Sequence, residues 1–159
     1  MLFIQLNMKK QIPAHDQLPV HYVVWQSMPG GMESYVSYYT NEFYDQREMY
    51  IFSLRPVGNG LNERLDDHFQ EGSDNNRQCY ARYFRYCRKH RGQLFHLMNS
   101  GPIILLLTLL AGVRNPVYHI HGTKYWKKWW HKIYLKTAWL LTSLFDVRFI
   151  ANSQYSAGI

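Results

Sequence analysis

Val20-His21-Tyr22-Val23-Val24-Trp25-Gln26-Ser27-Met28-Pro29-Gly30-Gly31-Met32-Glu33 joins an apolar run, a Pro-Gly-Gly break and the start of a helical pattern. Val20 to Gln26 is rich in β-branched and aromatic residues and reads as a strand. From Glu33 to Tyr44, the residues Tyr35, Val36, Tyr39 and Phe43 recur at helical spacing. Polar or glycine residues directly after an apolar strand occupy the position where ligands bind in open α/β sheets. The arrangement returns in Tyr118-His119-Ile120-His121-Gly122-Thr123 and in Phe149-Ile150-Ala151-Asn152-Ser153-Gln154-Tyr155-Ser156. The order of the three stretches carries more information than any one of them.

Outward from the first stretch, strands and helices alternate. Met49 to Leu54 reads as a second strand, ended by Arg55-Pro56 and Gly58-Asn59-Gly60. Leu61 to Gln78 is polar and reads as a surface excursion. A basic helix is expected from Cys79 to Arg91, with Tyr80, Phe84 and Cys87 on its inner side. Leu94 to Met98 is a third strand, and Pro102 then opens a buried helix, Ile103 to Ala111, closed by Gly112. Pro116 to Ile120, a helix from Trp129 to Phe145, and Val147 to Ala151 complete five strands. Such alternation predicts a Rossmann-like α/β fold, a doubly wound parallel sheet covered on both faces. Residues 1–19, with Pro13 and Pro19, show no period and are left as an unassigned extension; the domain is placed at 20–159.

The 159 residues suffice for one domain with its own core. Eighteen Lys and Arg against 11 Asp and Glu give a net charge of +7, which favours an anionic partner. Charge alone does not choose among phosphate, lipid and nucleic acid. The longest apolar run, Ile103 to Val113, is too short to cross a bilayer, and Met1 to Leu6 lacks the pattern of a signal peptide. Cys79 and Cys87 on one helix lie about 12 Å apart along its axis and cannot bridge. A cytoplasmic setting is expected, with peripheral attachment to the membrane face as a further option.

Three features could carry chemistry. Glycines at a strand-to-helix turn let a backbone approach a diphosphate, although such turns are mostly only turns, and this one is not the Gly-x-Gly-x-x-Gly dinucleotide signature. His119 and His121 have no Cys or carboxylate cluster beside them, so metal binding is disfavoured. A His at a strand end can hold a ligand hydroxyl or polarise a reacting group, or simply satisfy a backbone carbonyl. Lys124 to Ile133 interleaves Lys with Trp, which suits anionic headgroups through Lys128, Trp129, Trp130 and Lys132, or else forms a core stripe with a charged back. No nucleic-acid motif accompanies it. Glu63 and Glu71, with seven residues between them, imitate a two-glutamate signature of sugar-transferring enzymes, but they stand in a polar stretch without a phosphate loop and are read as coincidence.

Together, Pro29-Gly30-Gly31-Met32-Glu33, Phe95-His96-Leu97-Met98-Asn99, Tyr118-His119-Ile120-His121-Gly122-Thr123 and Ile150-Ala151-Asn152-Ser153-Gln154-Tyr155-Ser156 resemble the N-terminal domain of a GT-B glycosyltransferase, most like family 4. The resemblance covers residues 20–159. It implies the acceptor-side half of a retaining enzyme that moves a sugar from a nucleotide-sugar donor to a polysaccharide or glycolipid acceptor. It also implies no cofactor and no metal. By that resemblance Gly30 and Gly31 approach the donor diphosphate and His121 is the active-site histidine. Asn99, Thr123 and Lys124 then fall on acceptor-contacting loops. The donor-binding C-terminal domain is missing from the chain and its own domain ends early, so a truncated product, inactive alone, is expected. The competing reading is a non-catalytic peripheral membrane or partner-binding module.

Overall fold

The structure, a computed structural model, describes residues 18–27, 31–120 and 129–151. Strands β1 (Val20–Val24), β2 (Met49–Ser53), β3 (Phe69–Glu71), β4 (Leu94–Met98), β5 (Val117–Ile120) and β6 (Arg148–Ala151) form one sheet in the order β3-β2-β1-β4-β5-β6. Every neighbouring pair is parallel. Helices α1 (Gly31–Glu42), α2 (Asn76–Lys89), α3 (Pro102–Leu110) and α4 (Trp129–Leu144) connect strands, and a 3-10 helix, Glu63–His68, precedes β3. The Rossmann-like doubly wound sheet expected from the alternation is the one observed.

All five residues of β1 are buried, as a central strand covered on both faces requires. Its side chains alternate between two cores. Val20, Tyr22 and Val24 pack with Val36, Ile51 and Met98 under α1. Val23 faces the opposite way, into a core with Phe52, Tyr83, Leu97, Leu105 and Tyr118. Because β2 and β4 flank β1 on either side, the chain changes winding direction between β1 and β4. The carboxyl ends of these strands therefore border a topological switch point.

Three expectations need correction. The stretch from Leu61 to Gln78 is not a mere surface excursion. Leu61 and Leu65 are buried, the Asn62 side chain accepts from the Arg64 amide to cap the 3-10 helix, and Phe69–Glu71 pairs with Ile51–Ser53 as a sixth strand. Gly72 ends that strand, with its amide donating to the Ser53 carbonyl at 2.7 Å. A Cβ there would lie 2.4 Å from the Leu54 carbonyl oxygen and 2.8 Å from Cys79 Sγ, so the close approach needs glycine.

The second correction concerns α2, which starts at Asn76, where the Asn75 side chain accepts from the Arg77 and Gln78 amides. Its buried stripe is Cys79, Tyr83, Tyr86 and Cys87, while Tyr80 and Phe84 pack only partly against the core. Both thiols are free and buried, and burial pushes Cys87 up to about 12. Third, α3 is buried on one side only. Ile104, Leu105 and Thr108 face inward, whereas Ile103, Leu106 and Leu110 are exposed. Its ends follow the sequence: Pro102 occupies the first turn, and Gly112 follows the last with φ +86.

Candidate functional site

The apolar runs that make β1 and β4 stop in polar residues on the same side of the switch point. After β1, Ser27 is buried and its hydroxyl donates to the Gly58 carbonyl. Gly58, with φ +77, in turn donates its amide to the Glu71 carboxylate at 2.6 Å. Nearby, the Arg55 guanidinium lies 4.9 Å above the Trp25 ring. The far side of this turn is the exposed amino end of α1 at Gly31, with Glu33 in the first turn. Free amides at that end favour an anion, and the Glu33 carboxylate competes for the same field.

After β4 the chain turns through Asn99, a non-glycine residue at φ +52, and Gly101 at φ +82. Asparagine tolerates the left-handed region because its short polar side chain bonds locally. The Asn99 amide donates to the His119 carbonyl at 2.8 Å, tying the end of β4 to β5. Ser100 is buried, with its hydroxyl unpartnered among the described residues.

Beneath α1, aromatic rings from four elements meet. The rings of His96 on β4 and His119 on β5 stack with centroids 5.5 Å apart and planes at 19°. Tyr35 of α1 meets His119 edge-on at 6.2 Å, and Tyr22 of β1 lies 5.6 Å from His96. His96 Nε2 is sealed from solvent without a hydrogen-bond partner among the described residues. Burial, with His119 beside it, pushes this imidazole down to about 3. Burial likewise raises the Tyr22 and Tyr35 phenols. A neutral His96 can accept or donate one hydrogen bond without bringing charge into the site.

Of the residues singled out from sequence, Gly31 and Asn99 stand at the carboxyl ends of β1 and β4, on the switch-point side. Gly30, His121, Thr123, Lys124 and Lys128 lie outside the described residues, as do residues 1–17 and Asn152 to Ile159. Trp129 and Lys132 are exposed on α4, so Trp129 does not join a core stripe; Trp130 belongs to α4, but its side chain is outside the description. Glu71 accepts from the Gly58 amide, and Glu63 stands on the 3-10 helix. His96, Tyr22 and Tyr35 were not foreseen as site residues. The signal available was a histidine inside the apolar run Leu94 to Met98, where the strand pattern alone asks for a hydrocarbon.

Two depressions elsewhere, one lined by Tyr44, Arg47, Leu65 and His68 and the other by Gln70, Arg82, Arg85 and Lys89, include no residue of β4 or β5. Among the described residues no three His, Cys, Asp or Glu side chains are grouped to hold a metal ion, and no helix is long and apolar enough to cross a membrane.

No protein-family model and no curated protein matches this chain. The fold is matched by a solved structure, that of the Anabaena protein HepE in complex with UDP and glucose. The match has a TM-score of 0.65 at 15% sequence identity, over 89% of this chain and 40% of that one. The likeness is one of fold. This chain spans well under half of HepE's length.

Proposed function

We propose that this chain is the acceptor-side half of a GT-B glycosyltransferase, a family 4-like retaining enzyme that passes a sugar from a nucleotide-sugar to a polysaccharide or glycolipid acceptor. The observation that carries this reading is the switch point of the β3-β2-β1-β4-β5-β6 sheet. At it stand the amino end of α1 at Gly31 and a left-handed turn through Asn99 and Gly101 after β4, and in the sequence Gly30-Gly31 follows β1 and His121-Gly122-Thr123 follows β5. The shared fold with HepE supports it, since UDP and glucose are the two parts of a nucleotide-sugar.

In this reading Gly30 and Gly31 present backbone amides to the donor diphosphate. His121 stands by the reacting sugar, while Asn99, Thr123 and Lys124 meet the acceptor. The acceptor oxygen bonds to the anomeric carbon as the bond to the diphosphate breaks, with configuration retained. Hydrogen-bond donors aimed at the charge that develops lower the barrier. A second Rossmann-like domain supplies the nucleotide pocket, so the chain by itself transfers little or no sugar.

The test begins with the genomic DNA downstream of the Ile159 codon. The expected continuation encodes a second Rossmann-like domain with two glutamates separated by seven residues. Joined to this chain, it should transfer labelled sugar to a lipid-linked acceptor, and His121→Ala should lower that rate about a hundredfold or more. Unrelated downstream sequence with no separately encoded second half, or full transfer by this chain alone, overturns the proposal.

A further inference from the structure

Helix α4 turns its largest described side chains toward solvent. Trp129 is 73% exposed, Ile133 54%, Trp139 63%, Leu140 50% and Leu144 67%, while Ala138 and Leu141 are buried. At about 100° per residue, Trp129, Leu140, Ile133 and Leu144 fall within a sector of about 60°. Lys132 and Lys136, both exposed, lie along one flank of that stripe, and Trp139 lies beyond them. The helix carries no Asp or Glu; the next acid, Asp146, comes after its end.

This composition selects among occupants. A protein partner of matching apolar surface would press on a patch depleted of lysine, because interface cores exclude Lys. In a lipid headgroup region lysine stems run along the apolar surface and keep their ammonium groups at the phosphates, while Trp rings take the boundary itself. The helix is too polar and too short to span a bilayer, so it would lie in the plane. A chain of net charge +7 meets an anionic surface with complementary charge.

We infer that the outer face of α4 docks this protein on an anionic lipid surface, with Trp129, Ile133, Leu140 and Leu144 in the headgroup–acyl boundary and Lys132 and Lys136 at the phosphates. The inference does not depend on the transferase reading, since docking requires no sugar chemistry.

Co-sedimentation of the full chain with phosphatidylcholine vesicles, with and without phosphatidylglycerol, tests it. Binding is expected only when phosphatidylglycerol is present, and added salt should weaken it. The pair Lys132→Glu and Lys136→Glu should lower the partition coefficient about tenfold or more, and the pair Trp129→Ser and Leu140→Ser should do the same. Tyr38→Ser, an equally exposed aromatic on α1, should leave it unchanged. All of these positions are exposed, and circular dichroism of the variants is expected to match that of the parent. Equal binding to neutral vesicles, binding indifferent to the α4 variants, or a face that only pairs two copies of the chain in sedimentation velocity without binding lipid would each overturn the inference.

Discussion

Near the amino ends of the strands, His21 lies between Tyr50 and Phe95, each ring centroid 4.7 Å away and nearly parallel, and both of its nitrogens are hydrogen-bonded. On the opposite face of the sheet, His96 stacks on His119 and keeps an Nε2 with no partner among the described residues. The first histidine is fully used by the fold. Gln93 Oε1 accepts from His21 Nε2 and also from His90 Nδ1 at 3.1 Å, so the other His21 nitrogen accepts from the Tyr86 hydroxyl. The second leaves a polar atom idle in a dry place, which stable cores avoid. The contrast divides the sheet into a face under α2 built for stability and a face under α1 that gives some up.

Acid should test that division most severely. Burial lowers the His21 imidazole from 6.5 to about 4 and His96 to about 3. Both folded values lie below the unfolded one, so the unfolded chain takes up these protons first. The stability they confer is complete above about pH 6.5 and is lost as pH falls toward 4 for His21 and toward 3 for His96. Urea unfolding followed across that range should show the decline. Either His→Leu variant should remove its own share of the slope, and an unchanged slope in His96→Leu would mean that its ring meets water.

Next in size, His21→Leu at neutral pH should cost about 2–4 kcal/mol in urea unfolding, because it strands the Tyr86 hydroxyl, removes the bond to Gln93 and ends the ring stack. Asn99→Val places a β-branched side chain at φ +52 and should cost about 1–2 kcal/mol, while Asn99→Gly should be near neutral. The smallest effect is expected for His96→Leu, within about 1 kcal/mol of the parent or slightly stabilising, since no partner is lost. In a joined two-domain enzyme that same variant should lower sugar transfer. Loss of stability equal to that of His21→Leu would erase the distinction between the two faces.

Much of the sheet was legible because its strands are short apolar runs cut by glycine and proline. β3 was not, since Phe69–Glu71 offers one apolar residue and gains its place from pairing with β2 and the tight approach at Gly72. The inner face of α2 was displaced because the cap at Asn75, which sets where the helix begins, went unread among neighbouring polar residues. Asn99 was legible through its place in an Asn-Ser-Gly-Pro break. The meeting of His96 with His119 depends on the register that sets Met98 against His119, and no local pattern records register between strands so far apart in sequence.

The bonds from Ser27 to Gly58 and from Gly58 to Glu71 link in series the polypeptide leaving β1, the loop after β2 and the end of β3. Such a linkage makes the entrance of the glycine turn a fixed anchorage. A ligand seated against that turn would therefore register at a distance, as slower deuterium uptake by the Gly58 and Gly72 amides on the outer edge of the sheet.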